Sequence, residues 1–569
     1  MDQKLKQEKQ RIQDMYGVNQ KIQGAYDKKL AVRCSNGTFV GKERDQVLSF
    51  KGIPYALPPT GERRWKRPAE AEEGEGVYEA YYFGHSPIQT EWRSEVGSYY
   101  PQSEDCLTLN IWVNESLFTG SANGQEEFAD RAVMVFFHGG SYGWGATSDP
   151  IYNGHNFVRR FEDIILVTVE YRVGIMGFID LSSVKGGEAF ADSGNLGLLD
   201  QICALKWIRR NIRSFGGNPE NVTIFGESAG GGSVSLLPLI DEAKGLFRRA
   251  IAESGSVALT YSREECQLLT SMLLKETGCS SMQELMALPE DTLKKVNEKL
   301  NDYNNFPERD GRILPVDLYA AYREGKAQGI DLMTGTNADE SRYWIREMGY
   351  QVPVISGTTV YRHGMTVMYE NNIKRFSPEE RKDVEKFFEK LSGKKIWKLT
   401  EFYNEMLFRI PAMEQAALHA QNGNRVYTYY WTYPGADPTI GACHAMELSY
   451  VFRNLQETIY TGGHVSEELA DIVQEMWANF ARYGDPSAEE CPWEPYGLPD
   501  RKTMVLGETV AMAENLKSDQ RLLLEKLLPH YLNGCYSQLS FNVHHVRKLA
   551  ALAAAAVAAV AAVICSLVL

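Results

Sequence analysis

The sequence predicts an α/β protein in which a large, mixed and mostly parallel sheet is flanked by helices, and three observations predict it. Apolar, strand-like runs alternate regularly with helical stretches. No internal repeat or long low-complexity linker interrupts them. Residues 222–237, VTIFGESAGGGSVSLL, read as a β-branched apolar strand, a tight glycine turn and a run of small residues that starts a helix. With 44% hydrophobic and 24% charged residues, the 569-residue chain has ample material for a large core. One elaborated domain is favoured over the roughly three or four that length alone allows.

The turn Gly226-Glu227-Ser228-Ala229-Gly230 is the most informative element. A serine on a sharp strand-to-helix turn has its hydroxyl pushed clear of the sheet, and flanking glycines let the two backbones pass closely. The bare GxSxG pattern is expected by chance on the order of a few tenths of a time in such a chain, so context decides. A second match, Gly139-Gly140-Ser141-Tyr142-Gly143, follows the strand AVMVFFH but runs into WGATSDP, where no helix can begin at once. Ser228 is therefore the candidate nucleophile.

Such a nucleophile needs a base, a carboxylate to orient that base, and N–H donors for the oxyanion. In α/β-hydrolases the order along the chain is serine, acid, histidine. Of the histidines between Ser228 and the tail, His419 and His530 sit in helical or packed patterns and His363 in a polar segment. His444 follows the aromatic strand RVYTYYWTY and a loop, the setting a mobile imidazole requires, and is preferred to His464, which precedes a helix. For the acid, the segment IDLMTGTNADES offers Asp339 and Glu340 side by side, and local spacing does not choose between them. The Ala229 N–H is presented by the turn itself; Gly139, Gly140 and Ser141 follow the earlier strand as the second oxyanion contribution, with His138 buttressing that loop.

Several further runs carry a family resemblance: FKGIPYALPPTGERRW at 50–65, EDCLTLNIW at 104–112, VEYRVGIMGF at 169–178, the stretch from LGLLDQ to FGESAGG at 196–231, KGLFRRAIAESGS, GTNADES, CHAMELSYVF and MWANFARYGDPS. Together they resemble the type B carboxylesterases, the esterase and cholinesterase branch of the α/β-hydrolase fold, most of all bacterial para-nitrobenzyl-esterase-like members. The resemblance spans about residues 30–500 and frames a domain at 29–535 between a charged extension at 1–28 and a tail at 536–569. It implies Ser228, Glu340 and His444 as the triad, Gly140, Ser141 and Ala229 as oxyanion donors, and Gly139, Glu227 and Ser254 in support.

The implied activity is hydrolysis of small-molecule carboxylic esters through an acyl-enzyme on Ser228, with no metal and no organic cofactor. The rate should then rise with pH through about 6 to 7, where an ordinary histidine loses its proton. Alternatives of the same fold are a catalytically silent adhesion protein, a cholinesterase, a lipase or an amidase. Trp92, Tyr99 and Tyr100 lie near the loop a choline site would use but do not match its register.

Two departures from the family stand out. Ser141 replaces the usual third glycine of the oxyanion loop, which predicts a narrowed pocket or a strained dihedral there. Cys106 lacks an upstream partner in FGHSPIQTEW and Cys279 lacks one downstream, which implies free thiols.

Net charge and the chain ends bear on partners and location. A net charge of −14 disfavours nucleic acid as a partner. The first 14 residues are too charged for a secretory signal, and nine scattered cysteines fit a reducing, cytoplasmic setting. The sequons at Asn36, Asn114 and Asn221 are accordingly read as unmodified. Leu549–Leu569 is uncharged and as a helix would reach about 31 Å, enough to span a bilayer core. Ten of its residues are alanine, however, so a membrane anchor and an Ala-rich tail foreign to the fold both stand. The sequence does not determine an oligomeric state.

Overall fold

A computed structural model of the chain describes residues 15–89, 101–117, 130–300, 305–345 and 357–531. Among these residues the strands are β1 (Ala31–Cys34), β2 (Gly37–Val40), β3 (Lys42–Arg44), β4 (Val47–Pro54), β5 (Val77–Glu79), β6 (Thr108–Asn114), β7 (Arg131–Phe137), β8 (Ile164–Val169), β9 (Gly217–Glu227), β10 (Arg249–Glu253), β11 (Asp331–Asn337), β12 (Val426–Trp431), β13 (Thr503–Leu506) and β14 (Ala511–Ala513). A small sheet has the order β1-β2-β5, and an 11-stranded sheet has the order β14-β13-β12-β11-β10-β9-β7-β8-β6-β4-β3. From β8 across to β13 every pairing is parallel, while β6, β4, β3 and β14 pair antiparallel at the two margins. The predicted class, mixed and mostly parallel, is the one observed.

Strands β7 and β8 read RAVMVFF and IILVTV and are buried at every position, as strands covered on both faces must be. Side chains alternate between faces, so Val133, Val135 and Phe137 enter one apolar cluster while Ala132, Met134 and Phe136 enter the other. The first cluster is closed by helices α1 (Leu196–Asn211), α2 (Ala229–Leu236) and α3 (Ile410–Gln421). The second is closed by α4 (Glu467–Tyr483), which buries Leu469, Val473, Met476, Trp477 and Phe480. Ser466 caps the start of α4 by accepting from Leu469 N, and left-handed Gly484 ends it.

This topology puts the carboxyl ends of β7, β9, β10, β11 and β12 side by side, where open α/β sheets carry their sites. His138, Ser228, Ser254, Glu340 and His444 all follow those ends. Among the described residues Cys106 and Cys279 are free thiols, and no helix is long and apolar enough to cross a membrane. The candidate anchor 549–569 and the aromatics Trp92, Tyr99 and Tyr100 lie outside the described residues.

The sequon asparagines are held by internal hydrogen bonds. Asn36 donates to Pro54 O and accepts from Trp207 Nε1, Asn114 accepts from Ser116 N, and Asn221 accepts from Arg249.

Candidate active site

Ser228 sits between β9 and α2 at φ 57°, ψ −119°, half-buried between fully buried neighbours. A non-glycine residue holds this conformation only where the surroundings over-determine it. Here they do: Ser228 N donates to Glu253 O of the adjacent strand at 2.9 Å, and Ser228 O accepts from Gly232 N at 2.8 Å. The glycines on either side are required by space as well as by the turn. A Cβ on Gly226 would lie 2.6 Å from Phe137 O, and one on Gly230 would lie 2.0 Å from the same oxygen. Three glycines in a row make α2 a weak helix by propensity, and its close approach to β7 and β10 outweighs that.

The loop after β7 closes onto this turn. A Cβ on Gly139 would lie 2.9 Å from Glu227 O and 3.1 Å from Ser228 Cβ, so the loop backbone runs directly against the serine. Gly140 has φ 105° and Ser141 φ 53°; the strained dihedral expected of Ser141 is therefore present. His138 supports the loop from beneath, its Nδ1 2.8 Å from Gly139 O and its Nε2 3.3 Å from Glu170 Oε1. Tyr171 stacks on the imidazole at 4.4 Å and donates to His138 O at 2.6 Å.

Glu340 and His444 meet directly. Glu340 Oε2 lies 2.6 Å from His444 Nδ1, and Oε1 accepts from Asn337 N at 2.7 Å and from Ser254 Oγ at 2.6 Å. Both side chains are buried. Asp339, left open beside Glu340 by local spacing, turns the other way: it accepts from Ala442 N at 3.0 Å and pairs with Arg342. Asn337 completes this zipper between the Glu340 and His444 loops by donating to Cys443 O at 2.8 Å and to Glu447 Oε2 at 2.6 Å.

The other ring nitrogen, Nε2, is 3.0 Å from Glu227 Oε1, and no hydrogen bond joins the imidazole to Ser228 Oγ. Such a bond is commonly long before substrate binds and tightens in the complex. Burial disfavours the imidazolium, but the Glu227 and Glu340 carboxylates outweigh it and hold His444 above the ordinary histidine range, at about 9. Burial pushes Glu227 up to about 8, against the pull of His444.

Trp344 stacks on the imidazole at 5.6 Å, and Phe408 and Tyr343 approach it at 5.0 and 6.0 Å. Phe408 belongs to a π-helical turn, Asn404–Arg409. At its start Asn404 accepts from Ser341 N at 2.8 Å and donates to Ala338 O at 2.9 Å, clamping the acid loop. Nothing in the sequence marks Asn404 or Phe408, because a π-turn leaves no pattern of its own. Glu447, three residues beyond His444, had a local signal in its spacing. Of the histidines set aside, His464 stacks on Tyr433 at 5.3 Å, and His419 is buried with Nε2 2.7 Å from Ile330 O.

Comparison with known proteins places the chain in a family. The model of the carboxylesterase family matches residues 28–522. A para-nitrobenzyl esterase of Bacillus subtilis (strain 168) is 34% identical over 510 residues, covering 87% of this chain and 97% of the relative. An acylcarnitine hydrolase of Mus musculus is 30% identical over 518 residues, covering 85% and 87%. Among solved structures, the Geobacillus stearothermophilus carboxylesterase EST55 superposes with a TM-score of 0.75 at 31% identity, covering 87% of this chain and 99% of that one.

Proposed function

The chain belongs to the carboxylesterase family, and from that premise we propose that it is a serine esterase that cleaves small carboxylic esters to acid and alcohol. The observation that carries this reading is the 2.6 Å contact from Glu340 to His444 Nδ1, beside a serine held at φ 57° on a glycine-flanked turn. A carboxylate on Nδ1 fixes the tautomer whose Nε2 is free to accept a proton. In the proposed cycle the imidazole leaves Glu227 and takes the Ser228 proton as Oγ attacks the ester carbonyl. The Gly140, Ser141 and Ala229 N–H groups stabilise the tetrahedral oxyanion. His444 returns the proton to the departing alcohol, and water, activated the same way, releases the acid.

A panel of aryl, alkyl and choline esters tests the reading. Turnover of at least one ester class is expected; turnover of none would favour a silent binding protein of the same fold.

Two outcomes follow from the geometry. Because Glu227 and Glu340 favour the imidazolium, the acid limb of kcat/KM should lie above the ordinary 6 to 7. Glu227→Gln removes an anion and so makes the imidazolium easier to deprotonate. That limb should move to lower pH by about one unit, and an unmoved limb would separate Glu227 from the base. Ser141→Gly relieves a left-handed serine while keeping the backbone donor, so activity should hold or rise. A fall of about a hundredfold would instead make the Ser141 hydroxyl a required donor.

A further inference from the structure

Glu253 is a buried acid that the cycle above does not use. It ends β10 in register with Glu227 of β9, and its backbone oxygen holds Ser228 N. Like Ile251 two residues before it, and like Phe225 and Glu227 on the next strand, its side chain faces the layer closed by α4. It is completely buried. Oε1 accepts from Trp477 Nε1 at 2.5 Å, while Oε2 receives no hydrogen bond from any described residue.

The ionisable groups nearest it are acids. Glu227 faces it from β9 and Glu447 from the loop after β12, with the Tyr429 hydroxyl on β12 beside them. Beyond these lie Glu340 and His444, and α4 presents the neutral indole. A carboxylate placed here would be desolvated, hydrogen-bonded by one indole, and repelled by its neighbours. Burial first, then Glu447 and Glu227, hold its proton on well above the usual carboxylate range.

We infer that Glu253 is a positioning residue that works as a neutral carboxylic acid beneath the Ser228 turn, and that its ionisation closes the active state on the alkaline side. The inference rests on Ser228 as nucleophile. An added anion at Glu253 would oppose the oxyanion forming nearby and stabilise the imidazolium at the expense of the base. It would also drive the end of β10 to rearrange toward a donor for Oε2, loosening the carbonyl that fixes Ser228 N.

Glu253→Gln has nearly the same shape and cannot ionise, so it separates charge from packing. The alkaline limb of kcat/KM should move upward by about one pH unit or more in this variant, or disappear. A merely structural role would rescale the whole profile and leave that limb in place, which would overturn the inference.

Melting temperatures of the full-length wild type and Glu253→Gln, taken across pH 5 to 9, give a readout independent of catalysis. A carboxyl that holds its proton more tightly in the folded chain than in the unfolded one stabilises the fold fully in acid. That contribution is lost as pH rises toward its folded value, by about tenfold in the folding equilibrium per pH unit. The variant escapes this loss, so its melting temperature should gain on the wild type as pH rises; a constant gap would show that Glu253 is ionised throughout. If the wild type hydrolyses no ester, the proposed function fails, while the thermal series still decides the charge state of Glu253.

Discussion

Ser228→Ala is expected to lower kcat/KM toward any ester the wild type accepts by about ten-thousand- to million-fold, the range seen when a nucleophile acting as part of a unit is removed. The structure makes this variant a clean one. Alanine keeps the Cβ that packs beside Gly139 and inherits the same φ of 57°, and among the described residues the Ser228 hydroxyl has no hydrogen-bond partner whose loss would disturb the fold. Both backbone bonds of the turn, to Glu253 O and from Gly232 N, are untouched. The melting temperature should stay close to that of the wild type. Activity within about tenfold of wild type would remove Ser228 from the chemistry, because the oxyanion donors and binding by themselves leave only about 10³- to 10⁴-fold acceleration over water.

Glu340→Gln is expected to cost about a thousand- to ten-thousand-fold in kcat, and the reason lies in its three partners. Oε1 accepts from Asn337 N and Ser254 Oγ, so the amide oxygen of glutamine must take that side. The NH₂ group is then left facing His444 Nδ1, which the wild-type carboxylate oxygen approaches to 2.6 Å. A donor opposite Nδ1 makes that nitrogen an acceptor and moves the ring proton to Nε2, the nitrogen that must receive the serine proton. The defect is one of tautomer, with volume and packing preserved, so it should appear in kcat more than in KM. A loss smaller than about tenfold would mean that His444 is oriented by its aromatic neighbours Trp344 and Phe408, with the carboxylate dispensable.

Much of this arrangement was legible in the chain because it is local. The turn at Ser228 announces itself through glycines that a strand-to-helix crossing cannot do without, and the structure shows the carbonyl of Phe137 against which any Cβ there would collide. The alternation of buried strands with helices carries the parallel sheet in the same way. Motif order supplied the rest through the family resemblance, including the preference for Glu340 over Asp339. Spacing could not make that choice, since neighbouring carboxylates on one turn differ only in which way the turn points them.

The sequence by itself determined the fold class and the glycine-flanked serine turn, since both rest on patterns among residues close in the chain, and motif order named Glu340 and His444 as candidate partners. Tertiary structure decided what those residues touch. The zipper of Asn337 and Asp339 to the loop at 442–447, the π-turn that brings Asn404 and Phe408 to the acid and base, and the placing of Glu227 on His444 Nε2 all join positions distant in sequence. So does the crowding of Glu227, Glu340 and Glu447 around one imidazole, with Glu253 next to Glu227 and Glu447. Charge state depends on burial and on the sum of nearby fields, and neither is defined until the strands lie side by side.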